Sequence, residues 1–163
     1  MMNEERTIQL DRLRYTKNTT SSRLAILAIL FDVFFFVSIY KSDVGSYYYN
    51  ILIGGSILYN LIFMLAAFLS SEGVKNYKRG YSYLLMIMGV IQIARIFIYP
   101  VNAHAATITI RGVTEQVMGN AQFIRTIIYL ALSAVCLIVS AIVNLQKSSM
   151  LKAHLASLEE QKA

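Results

Sequence analysis

Cysteine occurs once in this chain, at Cys136, so an intrachain disulfide and a thiolate metal cluster are both excluded. Histidine occurs twice, at His104 and His154, each without companion ligands at close spacing, and no metal is expected. Glycine-rich phosphate loops, nucleophile elbows and paired acidic motifs are missing altogether, which argues against an enzyme and against any cofactor. Charge is scarce as well. Charged side chains make up 15% of the residues, where ordinary globular domains carry roughly a quarter. The length of 163 residues suits one domain.

What fills the chain instead is apolar. Four long runs, at 24–40, 48–69, 83–101 and 123–145, are divided by short polar loops, and each holds 17 to 23 residues. A helix rising about 1.5 Å per residue needs about 20 of them to cross a hydrocarbon core of about 30 Å. The expected fold is an all-α integral membrane protein, a four-transmembrane-helix bundle of up-down-up-down order. Its expected parts are a cytoplasmic segment (1–23), the transmembrane domain (24–145) and a cytoplasmic helical tail (146–163). A cleavable signal peptide does not fit the first run. Its basic leader is 23 residues long, its core contains Asp32, and its end lacks a small-x-small cleavage pattern.

The net charge of +6 sits in segments flanking the runs, so it reads as a topology signal at an anionic membrane face and not as a nucleic-acid patch. Arg6, Arg12, Arg14, Lys17 and Arg23 precede the first run. Lys75, Lys78 and Arg79 follow the second, and Lys147, Lys152 and Lys162 follow the fourth. Lys41, Arg111 and Arg125 fall on the other side. The positive-inside rule places both termini in the cytoplasm. The compact chain carries no sorting motif, so a bacterial plasma (inner) membrane is the expected location. Tyr47, Tyr48, Tyr49 and Tyr99 on one side, and Tyr77, Tyr81 and Tyr83 on the other, read as interface anchors.

Loops of 7 and 13 residues, at 41–47 and 70–82, make consecutive helices antiparallel neighbours. Pro100, the only proline, is expected to close the third helix. In the longest outer segment (102–122), the alternation Thr107-Ile108-Thr109-Ile110 before Gly112 hints at a short strand or hairpin. Leu151, Leu155 and Leu158 recur at helical spacing, so the fourth helix can continue as an amphipathic extension. Each tail is expected to lie on the membrane surface or to dock a partner helix.

Chemistry in this chain lies within the spans. A charged side chain near the bilayer centre is costly and normally faces the bundle interior beside a partner. At about 1.5 Å per residue, Asp32 lies about 12 Å from the cytoplasmic edge, Asn60 and Gln92 about 14 Å, and Arg95 about 18 Å. Gln92 and Arg95, three apart, share a helix face. An Asp32–Arg95 ion pair is expected, with Asn60 and Gln92 filling its remaining hydrogen-bond capacity and Ser133 joining from the fourth helix. Such a layer serves as a clasp holding four helices in register, as an ion- or proton-coupled site, or as a contact with a second chain.

Small residues allow close helix approach: Gly54 and Gly55 in the second run, and Ser133, Ala134, Ser140 and Ala141 in the fourth, read first as packing within the bundle. Phe31, Phe34, Phe35 and Phe36 give the first helix a bulky surface suited to lipid or a large partner. The functional expectation is a non-catalytic small subunit that stabilises or regulates a larger membrane complex such as a transporter. The competing expectation is a self-contained homo-oligomeric transporter using Asp32 and Arg95. Expected partners are the lipid bilayer and other membrane subunits or further copies of the chain.

Overall fold

The computed structural model describes residues 2–39, 47–110, 113–116 and 118–160, and of residues 2–7, 47–53, 108, 110 and 115 the backbone alone. Arg6, Lys41, Arg111, Lys162 and the anchors Tyr47, Tyr48 and Tyr49 therefore fall outside the described side chains. In chain order the elements are α1 (Met2–Tyr15), α2 (Thr19–Ile39), α3 (Tyr47–Lys75), α4 (Arg79–Ile98), α5 (Pro100–Ala105), β1 (Thr107–Ile110), β2 (Val113–Gln116) and α6 (Asn120–Glu160).

Four helices are long and apolar enough to cross a membrane: α2, the Gly54–Lys75 part of α3, α4 with α5, and α6. Their polarity is inverted relative to a water-soluble bundle. Leu58, Leu61, Ile62, Leu65 and Phe68 on α3, and Ile87, Val90 and Phe97 on α4, point outward. Asp32, Asn60, Gln92, Arg95, Ser133 and Asn144 point inward. An apolar exterior of that extent belongs in hydrocarbon, which marks a membrane-embedded protein.

Which residues face inward follows a simple step rule. On α2 the buried positions include Ser21, Ala25, Ala28, Asp32 and Phe35, and on α6 they include Thr126, Leu130, Ser133, Leu137, Ser140 and Asn144. On α3 they include Ser56, Asn60, Phe63, Ala67, Ser70 and Val74. Alternating steps of four and three give a repeat of seven, the period that keeps one seam of a helix against its neighbours. Helix α6 packs most extensively, against α2 and α4, while α3 leans on α2 and less on α4. Small side chains and a few large ones make the apolar core: Ala25, Ala28, Ala67 and Ala141 beside Phe63, Leu85, Met88 and Leu137.

Three local outcomes refine the sequence expectations. Pro100 closes the third helix as expected and also opens a new one. Helix α4 ends at Ile98, and Pro100 takes the first turn of α5, where its missing N–H costs nothing. Phe35 is fully buried and only Phe34 of its group is well exposed, because the seam that carries Asp32 continues through position 35. As the alternation at 107–110 hinted, β1 and β2 form an antiparallel hairpin, Thr107 opposite Gln116 and Ile110 opposite Val113, so the chain is not all-α.

The fourth spanning helix continues into the tail, as the leucine spacing there predicted. Helix α2 begins at Thr19, and α6 continues past position 145 for 41 residues in all, about 60 Å, twice the hydrocarbon thickness. Its far end packs on α1, where His154 Nε2 lies 2.8 Å from Asp11 Oδ1. An open groove lined by Leu10, Leu13, Met150 and Ala153 runs between the two helices.

Candidate functional site

Four helices contribute one side chain or more to a polar cluster at a single level. Arg95 Nη1 donates to Asp32 Oδ1 at 2.8 Å and to Gln92 Oε1 at 2.8 Å. Arg95 Nη2 donates to Asn60 Oδ1 at 2.7 Å. Gln92 Nε2 donates to the same Asp32 oxygen at 2.9 Å and to Ser133 Oγ at 3.2 Å. Ser133 passes its own hydrogen to the Ala28 carbonyl at 3.0 Å, a bond from α6 to the backbone of α2. Asp32, Gln92 and Ser133 are fully buried, Asn60 is 1% exposed and Arg95 3%. The structure thus brings together all five residues that depth along the helices had matched.

Aromatic rings enclose the guanidinium. Its central carbon lies 4.6 Å from the ring centre of Phe35, 4.4 Å from that of Tyr59 and 5.9 Å from that of Tyr99. A ring face attracts a cation, by about 2 kcal/mol where water is excluded. The guanidinium and the Asp32 carboxyl form a buried pair at 2.8 Å. Nothing in the sequence reading singled out Tyr59 or assigned Tyr99 to the cluster. The available signal was spacing: Phe35 is three residues from Asp32, Tyr59 adjoins Asn60, and Tyr99 is four from Arg95.

A second polar tier lies about fourteen residues along α2 from the first, and the sequence reading missed it. Asn18 Nδ2 donates to Asn144 Oδ1 and to Ser21 Oγ, each at 2.9 Å. Asn144 Nδ2 donates to Ser82 Oγ at 2.7 Å, and Ser140 Oγ to the Ser21 carbonyl at 2.6 Å. Ser22 and Ser71 share a hydroxyl bond of 2.8 Å, and the Asn18 N–H reaches the Lys75 carbonyl at 2.9 Å. Asn18, Ser21, Ser82, Ser140 and Asn144 are all buried. Polar residues near span ends read by themselves as loop and cap material, which hid the tier.

Of the small residues, Ser133, Ala134, Ser140 and Ala141 are buried at helix contacts. Gly54 and Gly55 are not. Both are exposed, and a Cβ added to either meets nothing, because the inward seam of α3 passes through Ser56 and Asn60. The close approaches belong to Gly73, where an added Cβ would run into the Tyr81 ring, and to Gly89, where it would come within 2.7 Å of Ile138 Cγ1. Cys136 is half-buried, and Met64 and Met86 pack against the core. His104 stacks on Phe123 at 4.3 Å, with Nδ1 3.0 Å from the Met118 carbonyl, a local tie. Among the described residues no group of three or more His, Cys, Asp or Glu is arranged to hold a metal ion.

The chain matches no family model, no curated protein and no solved structure. The functional argument therefore rests on this geometry.

Proposed function

We propose that this chain is a small non-catalytic subunit of a larger membrane complex, such as a transporter, which it stabilises or regulates from within the bilayer. One observation carries the reading: Arg95 is bound by side chains of three helices, Asp32, Asn60 and Gln92, and roofed by aromatic rings. A carboxylate that must carry ions needs freedom to release its partner, whereas Asp32 is pinned by two donors on one oxygen. Such a cluster suits a clasp that sets helix register. The groove between α1 and the far end of α6 then offers the rest of the complex a surface outside the bilayer.

The proposal includes a topology. Between the two polar tiers, residue numbers rise on α2 (Asn18 to Asp32) and fall on α3 (Ser71 to Asn60). They rise again on α4 (Ser82 to Gln92) and fall on α6 (Asn144 to Ser133). That alternation supports an up-down-up-down bundle. Lys17, Lys75, Lys78 and Lys147 flank the tier of Asn18 and Asn144, which supports a cytoplasmic location for both termini. A bacterial plasma membrane is part of the same reading.

Native mass spectrometry of the gently solubilised protein tests it. Recovery with a different membrane chain is the expected result, and a homo-oligomer free of other chains overturns the subunit reading in favour of a self-contained transporter. Asp32→Asn separates the two at the cluster. Loss of the assembled complex is expected of a clasp, and loss of solute uptake with assembly intact is the signature of a coupled transporter.

A further inference from the structure

Helices α1 and α6 lie antiparallel beyond the second polar tier. Asp11 meets His154 and Asn18 meets Asn144, so residue numbers rise along one helix as they fall along the other. The groove between them follows α6 from Lys147 to Ser157, about 15 Å or nearly three turns. Its volume is about 560 Å³, within the roughly 300–1,000 Å³ of pockets that receive a ligand. Leu10, Leu13, Met150 and Ala153 line it, and Met150 is 51% exposed. Ser149, Lys152 and Glu159 of the same stretch are exposed as well. An apolar groove set in such polar surface stands in water, outside the hydrocarbon that covers the spans.

Charge is spread unevenly along it. Lys147 lines the end nearest the bundle, its Nζ 3.3 Å from Asn18 Oδ1, and the exposed Lys17 adjoins Asn18. Asp11, the acid that α1 brings to this level, is engaged by His154 at 2.8 Å. Gln9 and Ser157 line the groove toward its other end, and the exposed Glu159 and Glu160 follow them on α6. The groove is therefore basic at one end, apolar along its floor and acidic beyond the other end. A second copy of the chain is the wrong occupant. Its α6 leaves the bilayer on the same side, so a two-fold pairing here sets Lys147 and Lys17 against their counterparts at the same height.

We propose that the groove seats an amphipathic helix of the partner subunit, with an apolar row on Leu10, Leu13 and Met150 and a carboxylate at Lys147. The occupant rests on the subunit reading and adds the partner's chemistry to it. A helix laid in a groove between two others buries its apolar face at steps of three and four residues. The carboxylate sets its direction, because the reversed helix brings that acid beside Glu159 and Glu160.

A photo-crosslinking benzophenone side chain in place of Met150, in the full chain within its native membranes, identifies the occupant by the sequence of the peptide it joins. The expected peptide comes from a different chain and carries an apolar row at helical spacing with Asp or Glu at one end. The same probe at Lys152, two residues on and so across the helix, is expected to join it several-fold less. With the probe at Met150, Lys147→Glu is expected to lower the yield several-fold and Lys147→Arg to preserve it. Joining at Met150 to lipid, to a second copy, to a peptide without a carboxylate or to nothing overturns the proposal, whether or not the lysine variants fold. So does an unchanged yield in Lys147→Glu. A partner chain recovered by native mass spectrometry without this cross-link removes the docking proposal and leaves the subunit reading standing, whereas recovery of no partner removes both.

Discussion

At the scale of single residues, Asp32 and Arg95 illustrate how membrane burial changes the worth of a charge pair. Removing one partner leaves the other charge buried in a medium that cannot solvate it, at a cost of about 3–5 kcal/mol. Asp32→Leu is accordingly expected to lose about that much stability, measured by reversible unfolding in mixed micelles. The double variant Asp32→Leu/Arg95→Met is expected to lose less than the single one, because no charge is then stranded. It does not return fully to wild type, since Asn60 and Gln92 each lose a partner. Depth along a helix was enough to find this cluster, because rise per residue is constant and only interior positions tolerate such groups. Rotation about each helix axis was not legible, and it decides that Phe35 and Tyr59 stack on the guanidinium and that Gly54 and Gly55 face outward.

The elements are built on one repeat, and the repeat explains which small residue matters. Gly89 sits on the seam of α4 facing Ile138 of α6, so Gly89→Val forces side chains apart and is expected to cost about 1–3 kcal/mol. Gly55→Ala, in open space on a helix, is expected to be neutral or to stabilise by up to about 1 kcal/mol. Thermal unfolding of the two variants side by side decides between seam and surface. Four helices were legible in the sequence because twenty apolar residues have few other uses. The tier of Asn18, Ser82 and Asn144 was not, because polarity at a span end says nothing about whether a side chain turns inward. The helix end at Pro100 was legible and the short helix α5 that follows was not, because proline ends one helix and begins another equally well.

On the scale of the whole molecule, the proposed topology has a direct check. With Cys136 replaced by alanine, single cysteines at the exposed positions Thr16 and Ser149 are expected to react with a membrane-impermeant thiol reagent from the same side. A cysteine at Thr109 is expected to react from the other side, and Thr16 and Ser149 labelled from opposite faces would break the alternation. Helix α6 gives this architecture a mechanical property. From Asn120 to Glu160 it contains neither glycine nor proline, and it carries Ser133 in the membrane cluster, Asn144 in the second tier and His154 against α1. A displacement imposed at its far end would meet no glycine or proline hinge before the serine hydroxyl that braces Gln92.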